Sequence, residues 1–144
     1  MAWTFIYAAS HQVFDPHFTI VGFLKSTKTF HDVYAPLTNP SIAPVLGFLV
    51  AYGHLAIGLS LLFGLLVRVS SLCGIALLLT YWTAHMDWPF IENTNNFIVD
   101  YHIVYSVVMA YLFVNHAGQV WGLDGIIKNW PWFERHPTAK ALVA

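Results

Sequence analysis

Apolar positions run almost unbroken through three long stretches of the chain. No Asp, Glu, Lys or Arg stands between Asp32 and Arg68, between Arg68 and Asp87, or between Asp100 and Asp124. An uncharged apolar run of about 18 residues or more can cross the hydrocarbon core of a bilayer as a helix. The runs are continuous rather than alternating, which fits helices and not the strands of a β-barrel. The pattern predicts spans over residues 45–67, 69–88 and 97–116, the last despite Asp100 and His102 within it. A tight turn around Arg68 makes the first two antiparallel neighbours. Residues 3–14 are apolar but short for a full span, and Asp15-Pro16 ends them. The expected fold is all-α: one integral membrane four-helix bundle over residues 1–144, with a short or incomplete first helix.

The segments between the spans are read as interfacial or as loops. Residues 17–34 mix apolar positions with Lys25, Lys28 and Asp32, as an amphipathic interfacial segment does. Residues 35–44 hold three prolines and an Asn39-Pro40 pair, which marks a turn or loop. Residues 89–96 read as a polar loop. Residues 121–133 carry Trp121, Trp130 and Trp132, suited to a short interfacial segment anchored by tryptophan. His136-Pro137 opens a tail expected to be solvated.

Composition supports the membrane assignment. Charged residues make up 9% of the chain, against about one quarter in an ordinary soluble domain, and the mean hydropathy is +0.62. A net charge of −1 argues against nucleic acid as a partner. Cys73 is the only cysteine, which excludes an internal disulfide and a cysteine-ligated cluster; within its apolar run it reads as a small buried packing residue. The segment Met1 to Tyr7 lacks the basic start of a cleavable signal. Arg68, Lys128, Arg135 and Lys140 on one side outnumber Lys25 and Lys28 on the other, which orients the chain in the cytoplasmic membrane with its C-terminus inside.

Candidate chemistry comes from histidines inside the spans. At 1.5 Å per residue, His54 lies roughly 3 Å to the outer side of its span's midpoint, and His85 and His102 roughly 10 and 7 Å. Three histidines on three helices share the outer leaflet, with Asp87 and Asp100 just above them; His116 lies toward the inner side. Ionisable groups at such depth are costly and are functional candidates by default. A neutral imidazole can ligate haem iron, bond a quinone or relay a proton. It can equally hydrogen-bond across a close helix contact or meet interfacial water. Asp100-Tyr101-His102-Ile103-Val104-Tyr105 gathers ionisable and phenolic groups within one span, which makes His54, Asp100, His102 and Tyr105 catalytic candidates. His54, His85 and His102 are the candidate cofactor-binding residues. The glycines at 47, 53, 58 and 64 suit close helix packing. Tyr52, Tyr81, Trp82, Trp88 and Tyr101 could stack on a ring-shaped cofactor or form an interfacial belt.

The stretch Gly53-His54-Leu-Ala-Ile-Gly58-Leu-Ser-Leu-Leu-Phe-Gly64-Leu-Leu-Val-Arg68 resembles the second-helix signature of the DoxX/DoxD-like membrane proteins. Asp100-Tyr101-His102-Ile-Val-Tyr105, followed by Ala117-Gly118-Gln-Val-Trp121-Gly122-Leu123-Asp124, resembles the ending of that family's last helix. The segment from Phe14-Asp15-Pro16 to Phe23-Leu24 is similar to the region after its first helix. The resemblance covers residues 5 to 127 and implies a four-helix membrane bundle with both termini inside. DoxD itself is the membrane subunit associated with thiosulfate:quinone oxidoreductase. Two departures stand out. His54 occupies a position where members commonly carry Glu, and Ser10-His11-Gln12-Val13 stands where a basic residue is common.

The resemblance implies a membrane subunit of an electron-transfer assembly that interacts with quinone and is related to thiosulfate:quinone oxidoreductase. Such a chain needs neighbouring membrane subunits, the lipid bilayer and the quinone pool as partners. The alternative is a non-catalytic accessory subunit of a respiratory or photosynthetic complex. Its histidines would then pack or ligate haem or chlorophyll, with His85 and His102 as the axial pair.

Overall fold

The computed structural model describes residues 1–143 and is mostly helical. Four longer helices carry the architecture: α1 (Ala2–Val13), α4 (Ala43–Phe63), α5 (Val67–Ala84) and α6 (Tyr101–Val114). Between α1 and α4 lie the short helices α2 (Val21–Ser26) and α3 (His31–Tyr34) and a 3-10 turn, Ala35–Thr38. After α6 come a 3-10 turn, Ala117–Gln119, and the short helices α7 (Leu123–Ile127), α8 (Pro131–Arg135) and α9 (Pro137–Val143).

Helix α1 packs along α4 and α6 along α5, while α4 and α5 join the two pairs. Phe5, Ile57, Leu78 and Met109, one from each of the four helices, meet in a buried cluster. Glycines permit the closest approaches. A Cβ at Gly58 would stand 2.9 Å from the backbone nitrogen of Ile6, so α1 reaches α4 only because that position has no side chain. Gly74 makes room in the same way for the end of Met109. A second cluster of Ile20, Leu24, Tyr34 and Ala84 fastens α2 and α3 to the end of α5. The interfacial segment expected over 17–34 is thus two short helices lying on the bundle.

Helices α4 and α5 are long and apolar enough to cross a membrane. Only 28% and 33% of their apolar windows are buried within the chain, so neither is the core helix of a soluble protein. They end where the backbone makes them end. Gly64 stops α4 in the left-handed conformation at φ +63°, with its Cα against Gly122, where no side chain would fit. Asp124 then starts α5: its carboxylate accepts from the backbone N–H groups of Leu66 at 2.7 Å and Val67 at 3.0 Å. In return the N–H of Asp124 donates to the Gly64 carbonyl at 2.9 Å. The turn therefore falls at residues 64–66, and Arg68 lies inside α5 rather than in the turn.

Four other expectations are corrected. The span expected over 97–116 begins only at Tyr101, because Asp100 caps α6 and Phe97 belongs to a strand. The polar loop expected over 89–96 is most of a small antiparallel sheet, β1 (Met86–Asp87), β2 (Phe90–Ile91) and β3 (Asn93–Phe97), so the chain is not wholly α. Met86 and Ile91 bury its inner face. The tail after His136 is not free in solvent: α9 folds back, Val143 is buried, and Arg68 donates to the Ala141 carbonyl at 3.2 Å. Cys73 is exposed on α5 rather than buried.

Candidate functional site

At the end of the molecule where α5 stops and α6 starts, the helices line a partly open cavity of about 370 Å³. Helix α1 presents Phe5, Ala8 and Gln12 to it, positions three and four apart and so on one helical face. Leu78 and Tyr81 of α5, with His85 capping its end, are the matching face. His54 comes from the middle of α4, and Tyr101, His102 and Tyr105 come from the first turns of α6. Phe18, Ile20 and Phe23 close the cavity from the segment around α2.

His54, His85 and His102 do come together, on a scaffold of aromatic rings. His85 and His102 stack with ring centroids 5.2 Å apart. His54 stacks on Tyr81 at 5.7 Å, and Tyr81 lies 6.1 Å from His102 and 6.3 Å from His85. Tyr81 is the hub of the group. Phe5 packs against His54 and Phe23 against His85.

Each imidazole has its Nδ1 atom committed. His54 Nδ1 donates to the Val50 carbonyl at 2.8 Å, and His85 Nδ1 to the Tyr81 carbonyl at 2.9 Å. A carbonyl only accepts, so Nδ1 carries the proton in both rings, and in the neutral form of each ring Nε2 is the acceptor. His102 Nδ1 meets the Asp100 carboxylate at 2.5 Å. Asp100 and His102 are 5% and 3% exposed, so this is a pair closed off from water. The same carboxylate accepts from the backbone N–H of His102 at 3.0 Å, which caps α6. A buried carboxylate behind an imidazole fixes the tautomer and the ring orientation. It also supplies a counter-charge when Nε2 takes up a proton.

The expected site residues fall unevenly. His54, His85, His102 and Tyr105 line the cavity, and Asp100 stands behind His102. Asp87 does not join them; it pairs with Lys28 at 2.5 Å on the surface. His116 caps the turn after α6, outside the cavity. Gln12 is a cavity residue that the histidine pattern missed. Tyr81 interacts with its side chain, yet the Gln12 amide oxygen is buried without a hydrogen-bond partner. Its signal in the sequence was the stretch around residue 12, where DoxX/DoxD-like proteins commonly carry a base. That position and the His54 position face one cavity.

The family model named DoxX matches residues 1–86, which is more than half of the chain. The chain belongs to the DoxX family. With its two long apolar helices it is a membrane protein. The DoxX match takes in Gln12, His54, Tyr81 and His85 and stops before the Asp100–His102 pair. No curated protein and no solved structure matches the chain.

Proposed function

We propose that this DoxX protein is a membrane subunit of an electron-transfer assembly that binds a quinone in the cavity around His54, Tyr81, His85 and His102. One observation carries the reading: an apolar aromatic cavity holds three imidazoles with Nδ1 engaged and Nε2 available, and a buried carboxylate backs one of them. A bound quinone supplies two-electron redox chemistry in which its oxygens gain or lose protons. The chain's part is to hold the ring and handle those protons. Bare Nε2 atoms accept from the hydroxyls of the reduced form. His102, once protonated on Nε2, donates to an oxygen of the oxidised form while Asp100 offsets its charge. Tyr81 offers a face for stacking, and the lining around the imidazoles is mostly apolar.

The haem alternative fits the geometry poorly. With metal–nitrogen bonds of about 2 Å, two imidazoles on opposite sides of one iron keep their ring centroids more than about 6 Å apart. His85 and His102 stack at 5.2 Å.

The membrane arrangement belongs to the same proposal. Helices α1, α4, α5 and α6 form a four-helix membrane bundle with the cavity toward the outer leaflet and the C-terminus in the cytoplasm. The cluster drawing one residue from each helix supports it, as do the apolar side chains exposed along α4 and α6, Phe48, Leu62, Val107 and Tyr111 among them. Helices α1 and α6, with 12 and 14 residues, reach only ~18 and ~21 Å. The sheet and α2 therefore complete the outer end at headgroup level. Electrons reach the cavity from a neighbouring subunit, and thiosulfate stands as the candidate donor by analogy with DoxD alone.

Titration of the purified full chain in lipid nanodiscs with decylubiquinol tests this reading. Saturable binding weakened about tenfold or more by His102→Ala, the loss of one buried hydrogen bond to a charged pair, is the expected result. Binding that is absent in wild type, or unchanged in the variant, contradicts it.

A further inference from the structure

A second hollow, of about 650 Å³, lies between α4 and the end of α1, and it shares three lining residues with the histidine cavity: Gln12, Phe18 and Thr19. Its floor on α4 is small. Ala43, Gly47 and Ala51 follow at intervals of four and face it together. A Cβ at Gly47 meets nothing within 4 Å, so the space above that glycine is open rather than filled by a neighbouring helix. Phe48 and Tyr52 flank the floor as a ring pair with centroids 4.4 Å apart, and both are exposed. They belong to a helix apolar enough to cross a membrane, so the groove opens toward lipid chains. The shared wall carries the buried amide oxygen of Gln12, which has no partner within the protein.

We infer that the cavity and the groove are two halves of one site for an amphiphile. Its flat polar head sits among the histidines, and its flexible apolar tail leaves past Gln12 and along Gly47 and Ala51 into the membrane. The tail path rests on the quinone reading of the cavity for the identity of the head. The groove's share is the tail: its α4 wall offers Ala43, Pro44, Gly47, Phe48 and Ala51 with only the Tyr52 hydroxyl as a polar group, and an alkyl or isoprenoid chain lies along that wall, while Asp15, Thr19 and Thr38 line the remaining walls. Gln12 stands at the junction, where its orphaned amide oxygen accepts from the hydroxyl that the reduced head carries on the ring carbon next to the tail. The consequence is a ligand that enters sideways from the outer leaflet, without crossing water.

The test uses the full chain in nanodiscs and two quinones with one head: decylubiquinone, which has a ten-carbon tail, and its tailless 2,3-dimethoxy-5-methyl counterpart. Gly47→Phe fills the groove from a position with open space above it. Comparing variant with wild type for each quinone cancels the partitioning of the probes into lipid. The variant is expected to weaken decylubiquinone about tenfold and to leave the tailless quinone within about twofold. Equal loss for both, or loss for neither, overturns the tail path. A photoreactive sixteen-carbon alcohol bearing a diazirine is the second probe. Labelling concentrated on residues 43–52 in wild type and lost in Gly47→Phe supports the groove even if neither quinone binds, in which case the quinone reading alone fails. Labelling no stronger there than at the exposed Leu72 overturns the groove as well.

Discussion

Asp100 holds His102 at two points, through the ring Nδ1 at 2.5 Å and through the backbone N–H at 3.0 Å. One carboxylate thus starts α6 and orients the imidazole that the helix carries into the cavity. The local sequence imposes this coupling, because a cap and a residue two positions later are fixed relative to each other by the first turn.

Replacing the carboxylate separates the two jobs. Asp100→Asn keeps a good cap but loses the charge behind His102, so stability stays near wild type while quinol affinity falls about tenfold or more, as loss of a partner behind a functional histidine commonly does. Asp100→Ala also loses the cap, at about 1 kcal/mol. Thermal unfolding in detergent and quinol titration check the pair. Equal affinities in Asn and wild type would show that the charge is not needed.

Asp124 makes a stability prediction without a site. Asp124→Ala strands the N–H groups of Leu66 and Val67 at the buried start of α5. The expected cost is about 3 kcal/mol, from two bonds to a charged acceptor. Thermal unfolding measures it, and a change under about 0.5 kcal/mol would mean that the cap is replaceable.

Gly58 sets the spacing of α1 on α4. Gly58→Leu drives a side chain into the Ile6 backbone and is expected to destabilise the fold by about 1–3 kcal/mol. Because α1 carries Phe5 and Gln12 into the cavity, ligand affinity should fall with stability. Affinity retained at wild-type level in the folded fraction would show that α1 does not build the site.

A negative prediction comes from the surface. Lys28 and Asp87 pair at 2.5 Å, but their side chains are 66% and 57% exposed. Lys28→Ala is expected to change stability by less than about 1 kcal/mol, since exposed pairs contribute little. A larger loss in thermal unfolding would make this pair a clamp between the sheet and the segment before α3.

The legible part of the fold is what hydropathy encodes. The bodies of α4 and α5 follow directly from uncharged runs, and the depth count places His54, His85 and His102 in the same half of the bilayer; all three line the cavity. Hydropathy does not encode capping. Ile98 and Val99 are as apolar as any span residue, yet α6 waits for Asp100, whose cap accepts from the His102 N–H. Asp124 acts across 57 residues of chain, and no local pattern carries such a partner. Azimuth was equally hidden. Depth alone gave no sign that Asp87 turns to Lys28 while Asp100 turns to His102, nor that Gln12 and Tyr81 share a cavity. The small sheet leaves no alternating pattern, because β1 and β2 are two residues each and β3 is rich in asparagine.

The most direct measurement is an infrared difference spectrum of the chain loaded with carbonyl-labelled decylubiquinone, in wild type, His102→Ala and His136→Ala. A hydrogen bond to a quinone oxygen lowers its carbonyl stretch. The labelled band should shift down in wild type and in His136→Ala, whose ring lies outside the cavity, and return toward the free position in His102→Ala. A band at the free position in wild type, or a shift that survives the loss of His102, would contradict the assignment of this cavity as a quinone site served by His102.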